Sequence, residues 1–125
     1  MANKQVVTKG DRIKREVGRI KRILKTANVD ENKVKALEGV INRAGFLRVT
    51  CEEFEKYLLE HGFTEPFTQS ANIPPYNKKR AEADLYATSI KDYKAICKQI
   101  SDAFDTPKLN INLIDDGFES FLKGK

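Results

Sequence analysis

Nine basic side chains lie within the first 25 residues of the chain, and only Asp11 and Glu16 oppose them. The basic residues are Lys4, Lys9, Arg12, Lys14, Arg15, Arg19, Lys21, Arg22 and Lys25. This segment therefore has a formal charge of +7, against +5 for the whole chain, so the other 100 residues are net −2. A localised positive charge attracts polyanions, of which nucleic acid is the commonest in a cytosol.

Catalytic and metal-binding patterns are weak in this chain. No Gly-x-x-x-x-Gly-Lys-Ser/Thr phosphate loop is present, and the seven glycines never form a Gly-x-Gly-x-x-Gly pattern. The single histidine, His61, lies ten positions from Cys51, about 15 Å along a helix, which is too far for a nucleophile–base pair. One histidine and two cysteines are too few ligands for a zinc site. The sequence therefore predicts a protein that is not an enzyme and that uses no metal or other cofactor.

Length and composition favour a small helical domain. A chain of 125 residues suits one domain with a modest core. Charged residues make up 33% of the chain, which is typical of helices with a narrow apolar stripe and a wide solvated face. No apolar run exceeds three residues, so neither a membrane span nor a secretory signal is expected. Cys51 and Cys97 are too few for a disulfide framework, which favours the cytoplasm.

The first predicted helix, residues 9–27, combines an apolar stripe with flanking cations. Ile13, Val17, Ile20 and Leu24 recur at steps of four, three and four residues, which places them on one side of a helix. Arginines and lysines at helical spacing flank this stripe. The residues predicted to contact DNA are Arg12, Lys14, Arg15, Arg19, Lys21, Arg22 and Lys25. The alternative is a solvated face whose long side chains only cover apolar surface.

Two longer helices are predicted to follow. The second covers residues 31–61, with Asp30 as its N-cap and Gly62 at its C-terminal end. The third covers residues 79–104 and stops before Pro107. On both helices the apolar residues repeat at steps of three and four, close to a heptad pattern.

Residues 62–78 form the clearest predicted loop, because they contain three prolines and a polar run. Phe63, Phe67 and Tyr76 are the side chains expected to hold this loop against the helices. Within the second helix, Gly39 and Gly45 mark either a bend or a close approach of another helix.

These elements predict an all-α protein. Its parts are a basic N-terminal helix, then a long antiparallel helical hairpin joined by a Pro-containing loop, and an irregular C-terminal tail. We assign residues 1–107 to a helical oligomerisation and DNA-binding domain and residues 108–125 to the tail. Long helices with narrow apolar seams bury little on their own, so a homo-oligomer is expected. The seam residues predicted for oligomerisation are Leu37, Ile41, Phe54, Tyr86, Ile90, Tyr93 and Ile100.

The tail is a second predicted interaction segment. Leu109, Ile111 and Leu113 alternate with other residues, and the acidic pair Asp115 and Asp116 follows. An amphipathic turn with an acidic flank can then dock in a groove of a partner protein. The residues predicted for this partner contact are Phe118, Glu119, Phe121 and Leu122. Packing of the tail on the chain's own helices is the alternative.

Over residues 12–107 the chain resembles the small terminase subunits of tailed bacteriophages. The resemblance lies in the basic first helix, in Val34-Lys35-Ala36-Leu37-Glu38-Gly39-Val40-Ile41, in Phe54-Glu55-Lys56-Tyr57-Leu58-Leu59-Glu60-His61-Gly62, in Phe67-Thr68-Gln69-Ser70, and in Tyr86 and Tyr93-Lys94-Ala95-Ile96. Gly62 and Thr106-Pro107 match the linker glycine and the Thr-Pro pair that members of the family often have. The chain departs from the common pattern at residues 76–78 and at residues 104–105.

This resemblance implies a DNA-packaging protein without enzymatic activity. Such proteins assemble into rings, bind viral double-stranded DNA when packaging begins, and present it to the large terminase subunit, which holds the ATPase and the nuclease. The implied location is the host cytoplasm during phage assembly. Two other interpretations stay open: a helical adaptor that binds only protein, and a small dimeric DNA-binding regulator.

Overall fold

The computed structural model describes residues 6–104 of the chain. The elements in order are α1 (Lys9–Thr26), α2 (Glu31–Ala36), α3 (Glu38–His61), β1 (Thr64–Phe67), β2 (Tyr76–Lys79) and α4 (Ala81–Phe104). This part of the chain is mostly helical, which confirms the predicted fold class, and one short strand pair is added to it. None of the described helices is long and apolar enough to cross a membrane.

The first helix starts and packs as its sequence predicts. The Thr8 hydroxyl accepts from the Asp11 N–H at 3.1 Å, and the Asp11 carboxylate accepts from the Thr8 N–H at 3.2 Å. These reciprocal bonds form a capping box that satisfies two backbone donors at the helix start. Ile20 and Leu24 are buried, so the predicted apolar stripe is the core face of α1.

The predicted second helix is in fact two helices. Asp30 caps α2 as expected, because its carboxylate accepts from the Asn32 N–H at 3.0 Å. Leu37, with φ −100° and ψ 16°, then ends α2 and precedes α3. The prediction of one continuous helix over residues 31–61 was therefore wrong at this position. Val34 and Leu37 both pack against the core on either side of this break.

The helical hairpin formed by α3 and α4 is antiparallel, as predicted. Arg48 bonds to Tyr93 near the middle of the pair, and Glu55 bonds to Tyr86 nearer the ribbon. The core between the helices consists of Ile20, Leu24, Ile41, Ala44, Cys51, Tyr93, Cys97 and Ile100. Because Ile20 and Leu24 belong to α1, the first helix is part of the same core as the hairpin.

Gly45 marks the closest approach between α1 and α3. A Cβ at this position would lie 2.7 Å from Cγ2 of Val17 and 3.3 Å from the carbonyl oxygen of Ile13. A side chain at this position would therefore force Val17 to shift. Of the two glycines predicted to mark a bend or a close approach, Gly45 thus marks the approach, whereas Gly39 is exposed.

The predicted loop contains a two-stranded antiparallel ribbon, residues 64–79. Its register pairs Thr64 with Lys79 and Phe67 with Tyr76. The two rings pack edge to face, with centroids 5.7 Å apart, whereas Phe63 is exposed. The paired rings of Phe67 and Tyr76 therefore hold the two strands together. They were expected to hold the segment against the helices, but the structure shows them packed against each other.

Arg80 ties the ribbon to the end of α3. Its guanidinium donates to the carbonyl oxygens of His61 and Gly62, at 3.1 and 3.0 Å, and to the Glu65 carboxylate at 3.1 Å. Gly62 ends α3 with a φ of +83°, a conformation that favours glycine. The chain therefore turns sharply at Gly62, and the arginine fixes that turn.

Candidate nucleic-acid interface

The seven basic residues predicted to bind DNA on α1 occupy two different environments. Three of them lie beside the apolar stripe, where glutamates neutralise them. Arg12 Nη2 lies 2.9 Å from Glu52 Oε1, and Lys21 Nζ lies 3.3 Å from Glu38 Oε2. Both glutamates belong to α3, and the third cation, Arg19, pairs with a glutamate on α1 itself. The charge of these three residues is therefore largely neutralised by carboxylates of the same chain.

The other four cations are exposed and make no ion pair within residues 6–104. They are Lys14, Arg15, Arg22 and Lys25. At about 100° per residue they occupy a sector about 100° wide on the side of α1 opposite Ile20. The sector extends about 16 Å along the helix axis. We call these four residues the outward cationic face.

Asp11 lies on the same side of α1 as the outward cationic face. The backbone N–H of Thr8 donates to this carboxylate and lowers the pKa of Asp11, and the nearby Lys14 and Arg15 lower it further. Asp11 is therefore ionised in neutral solution. It offsets one of the four positive charges and leaves the outward cationic face net positive.

A cleft of about 570 Å³ lies next to the C-terminal half of α1. Three lysines line it, Lys21, Lys25 and Lys35, together with Glu31 and Glu38. Because Lys25 belongs both to the cleft and to the outward cationic face, positive charge continues from α1 toward α2. The two glutamates partly offset this charge, so the cleft adds less to an anion site than the outward cationic face does.

A buried ionic network lies among α1, α3 and α4. At its centre Arg48 is only 8% exposed. Its guanidinium lies 3.6 Å from the Glu16 carboxylate and 3.2 Å from the Glu52 carboxylate, and it donates to the Tyr93 hydroxyl at 3.3 Å. Burial opposes the charge of Arg48, but Tyr93, Glu16 and Glu52 together raise its pKa above the usual range. Arg48 is therefore a charged structural residue, with no surface for a ligand.

The sequence contains one signal for this network, which the predicted site residues do not include. Arg48 lies four positions after Ala44 and three before Cys51, on the same seam of α3. A charged residue at a seam position needs a buried partner. Two of its partners, Glu16 and Tyr93, belong to other helices, so the sequence alone does not reveal the network.

The other buried titratable groups do not form a reactive site. Burial raises the pKa of Cys51 to about 12 and also raises the pKa of Cys97. Both thiols are free of disulfides and protonated, so they are poor nucleophiles. Burial likewise raises the pKa of Glu55, while a hydrogen bond from the Tyr86 hydroxyl at 2.9 Å opposes that shift.

Three of the seven residues predicted for oligomerisation are buried by the chain's own helices, and the other four are partly covered. Ile41, Tyr93 and Ile100 are buried in the core, and Leu37, Phe54, Tyr86 and Ile90 are half-buried. The heptad seams that suggested a subunit contact are used within one chain, where they pack α3 against α4. Any contact between copies must therefore draw on other residues as well.

The predicted partner-binding residues Phe118, Glu119, Phe121 and Leu122 lie outside the described residues. Within residues 6–104 no group of three or more His, Cys, Asp or Glu side chains is placed to hold a metal ion. Comparison of the chain with protein-family models, with curated proteins and with solved structures gave no match. The outward cationic face is thus the candidate site that the described geometry supports best.

Proposed function

We propose that the protein binds double-stranded DNA through the outward cationic face of α1. The observation that supports this most is the division of the seven α1 cations predicted to bind DNA, since three pair with glutamates while four on the opposite side do not. A cation without a carboxylate partner can replace the counterions of a DNA phosphate, and this release of counterions drives binding. The major groove, about 12 Å wide, admits an α-helix.

The wider role that we propose is the initiation of viral DNA packaging. It rests on the resemblance to small terminase subunits, and the long antiparallel hairpin of α3 and α4 is compatible with that layout. A homo-oligomeric ring would repeat the outward cationic face once per copy and so multiply the phosphate contacts. The proposed recipient of the DNA is the large terminase subunit, with the tail as the segment that binds it.

The salt dependence of DNA affinity tests the proposed face. If four cations each neutralise one phosphate, the log–log slope of affinity against salt is about −3.6 per bound chain. Replacing two of them, in Arg15→Ala/Arg22→Ala, should flatten this slope to about −1.8. Fluorescence anisotropy of a labelled duplex, titrated at several salt concentrations, measures both slopes.

A matched variant removes the same charge from a different helix. Lys91 and Lys94 are exposed on α4, so Lys91→Ala/Lys94→Ala lowers the net charge by two without touching α1. We expect this variant to keep the wild-type slope. Equal flattening by both double variants would show that only net charge matters, and a wild-type slope near zero would exclude binding through phosphates.

A second candidate function, a protein-binding adaptor, is favoured by a different observation. Leu59, Phe63 and Leu85 are 69%, 57% and 53% exposed, near the end of the hairpin where the ribbon begins. Exposed apolar side chains are a common feature of protein-binding surfaces. An adaptor predicts no salt-dependent duplex binding, so the same titration separates the two functions. A dimeric DNA-binding regulator would show the salt dependence but the native mass of a dimer.

A further inference from the structure

The two backbone edges of the ribbon differ in their capacity to pair with another strand. The Arg80 N–H donates to the Phe63 carbonyl oxygen at 2.9 Å, which makes these two residues a hydrogen-bonded pair. Along an antiparallel ladder, such pairs alternate with pairs whose N–H and C=O groups point away from the partner strand. The outward-pointing groups therefore belong to Thr64 and Pro66 on β1 and to Asn77 and Lys79 on β2.

The β2 edge is the open one. Pro66 has no N–H, so it interrupts the outward donors of β1. On β2, Asn77 and Lys79 keep their outward N–H groups, and the whole strand is exposed. An isolated two-stranded ribbon is marginally stable in water, and an exposed edge is a template for a further strand. The β2 edge is therefore a site for strand addition.

One segment of the chain has the residue pattern that such an edge accepts. Residues 109–113 alternate Leu, Ile and Leu with two asparagines, which is typical of a β-strand. Asp115 and Asp116 follow it, and their charge is opposite to that of Lys78 on β2, whereas the neighbouring Lys79 already pairs with Asp84 at 3.0 Å. Residues 109–113 lie outside the described residues, so this match is one of sequence pattern and charge.

The same chain cannot bring this segment to its own β2 edge. Helix α4 has 24 residues, so Phe104 lies about 35 Å from Ala81, where the ribbon joins the helix. Five residues, 105–109, span at most about 18 Å when fully extended. Residue 109 therefore cannot reach the Ala81 end of α4, which favours a second copy of the chain as the donor of the strand.

We propose that residues 109–113 of one copy add as a third strand to the β2 edge of a second copy. Each copy then donates one strand and accepts one. Reciprocal exchange closes a dimer, whereas donation to successive neighbours produces a ring. The proposal does not depend on DNA binding, because neither β2 nor the tail belongs to the outward cationic face.

Native mass, measured by light scattering on full-length variants, tests the exchange. Asn77→Pro removes an outward N–H from β2 and keeps the hydrogen bonds within the ribbon, whereas Thr64→Pro makes the same change on the β1 edge. Ile111→Asp disrupts the apolar pattern of the donated strand. We expect wild type and Thr64→Pro to be oligomeric with the same mass, and Asn77→Pro and Ile111→Asp each to be monomeric.

Mixing the two monomeric variants gives a complementary readout. Asn77→Pro still has an intact tail and Ile111→Asp still has an intact β2 edge, so an equimolar mixture should form one heterodimer through a single contact. A monomeric wild type, a wild-type mass for Asn77→Pro, or a mixture that stays monomeric would each overturn the proposal. If Asn77→Pro loses its helical circular dichroism, Ile111→Asp decides, because that variant changes none of the described residues.

DNA binding and strand exchange are tested by separate measurements. The salt slope per bound chain reports on α1, whereas native mass reports on β2 and the tail. If Asn77→Pro is monomeric and keeps the steep salt dependence of DNA affinity expected for wild type, both proposals are supported. A flat wild-type slope together with the expected masses would refute DNA binding alone.

Discussion

At the scale of single residues, the position of carboxylates decides which cations of α1 are available to a partner. Arg12 and Arg15 are three positions apart, and both are long basic side chains on the same helix. Glu52 of α3 binds Arg12 at 2.9 Å, whereas no carboxylate within residues 6–104 pairs with Arg15. Only three-dimensional proximity separates a cation used inside the chain from one that can bind phosphate.

Glu55 gives a prediction about pH. Because burial raises the pKa of Glu55, its contribution to stability is fully present below the ordinary glutamate pKa of 4.5 and is lost as the pH rises through the folded-state pKa. Glu55→Gln keeps an acceptor for the Tyr86 hydroxyl and cannot ionise. We expect the variant to match wild type at about pH 4 and to melt at a higher temperature at about pH 7.

Thermal unfolding over this pH range measures the difference. Glu60→Gln, at an exposed position on the same helix, removes the same charge and serves as the control. The difference in melting temperature between Glu55→Gln and wild type should grow with pH. If it shrinks as the pH rises, ionised Glu55 stabilises the fold and the assigned direction of its pKa is wrong.

At the scale of elements, the helices meet where side chains are small. Helix α1 contacts α3 so closely at Gly45 that backbone atoms of Ile13 and Val17 lie within 3.4 Å of a Cβ placed there. Glycine has a low helix propensity, but at position 45 the close packing of α1 against α3 favours it. Intrinsic propensity and tertiary contact therefore act in opposite directions within one helix.

Two glycine substitutions on α3 separate these effects. Gly45→Ala should destabilise the protein by about 1–3 kcal/mol, because its Cβ would overlap Val17. Gly39→Ala should stabilise it by up to about 1 kcal/mol, because the position is exposed and its new Cβ meets only the end of the Arg43 side chain. Chemical denaturation of both variants measures the two values, and effects of equal sign would contradict this packing.

At the scale of the whole molecule, one ionic network links the three long helices. Arg48 of α3 contacts Glu16 of α1 and Tyr93 of α4. A buried charge network tolerates few alternative packings, since any shift would leave a charge without its partner. We therefore expect the network to help specify how α1 packs on the hairpin.

Arg48→Met tests that role. Removing one member of a buried ion pair costs about 3–5 kcal/mol, but Arg19 still pairs with Glu16, so we expect a loss of about 2–3 kcal/mol. Arg43→Met, on the exposed side of the same helix, should change stability by less than about 0.5 kcal/mol. Urea denaturation measures both, and equal effects would show that the network contributes nothing beyond a surface arginine.

The sequence by itself determined the helical class, the start of α1 and the Asp30 cap, because capping and apolar periodicity act between residues a few positions apart. It also located the core stripe of α1 and the cation-rich segment. Only the tertiary structure decided the break at Leu37, the pairing of β1 with β2, the burial of Arg48 and the neutralisation of Arg12. Each of these depends on contacts with another element of the chain, and no local pattern carries information about which carboxylate, strand or core surface the fold brings near.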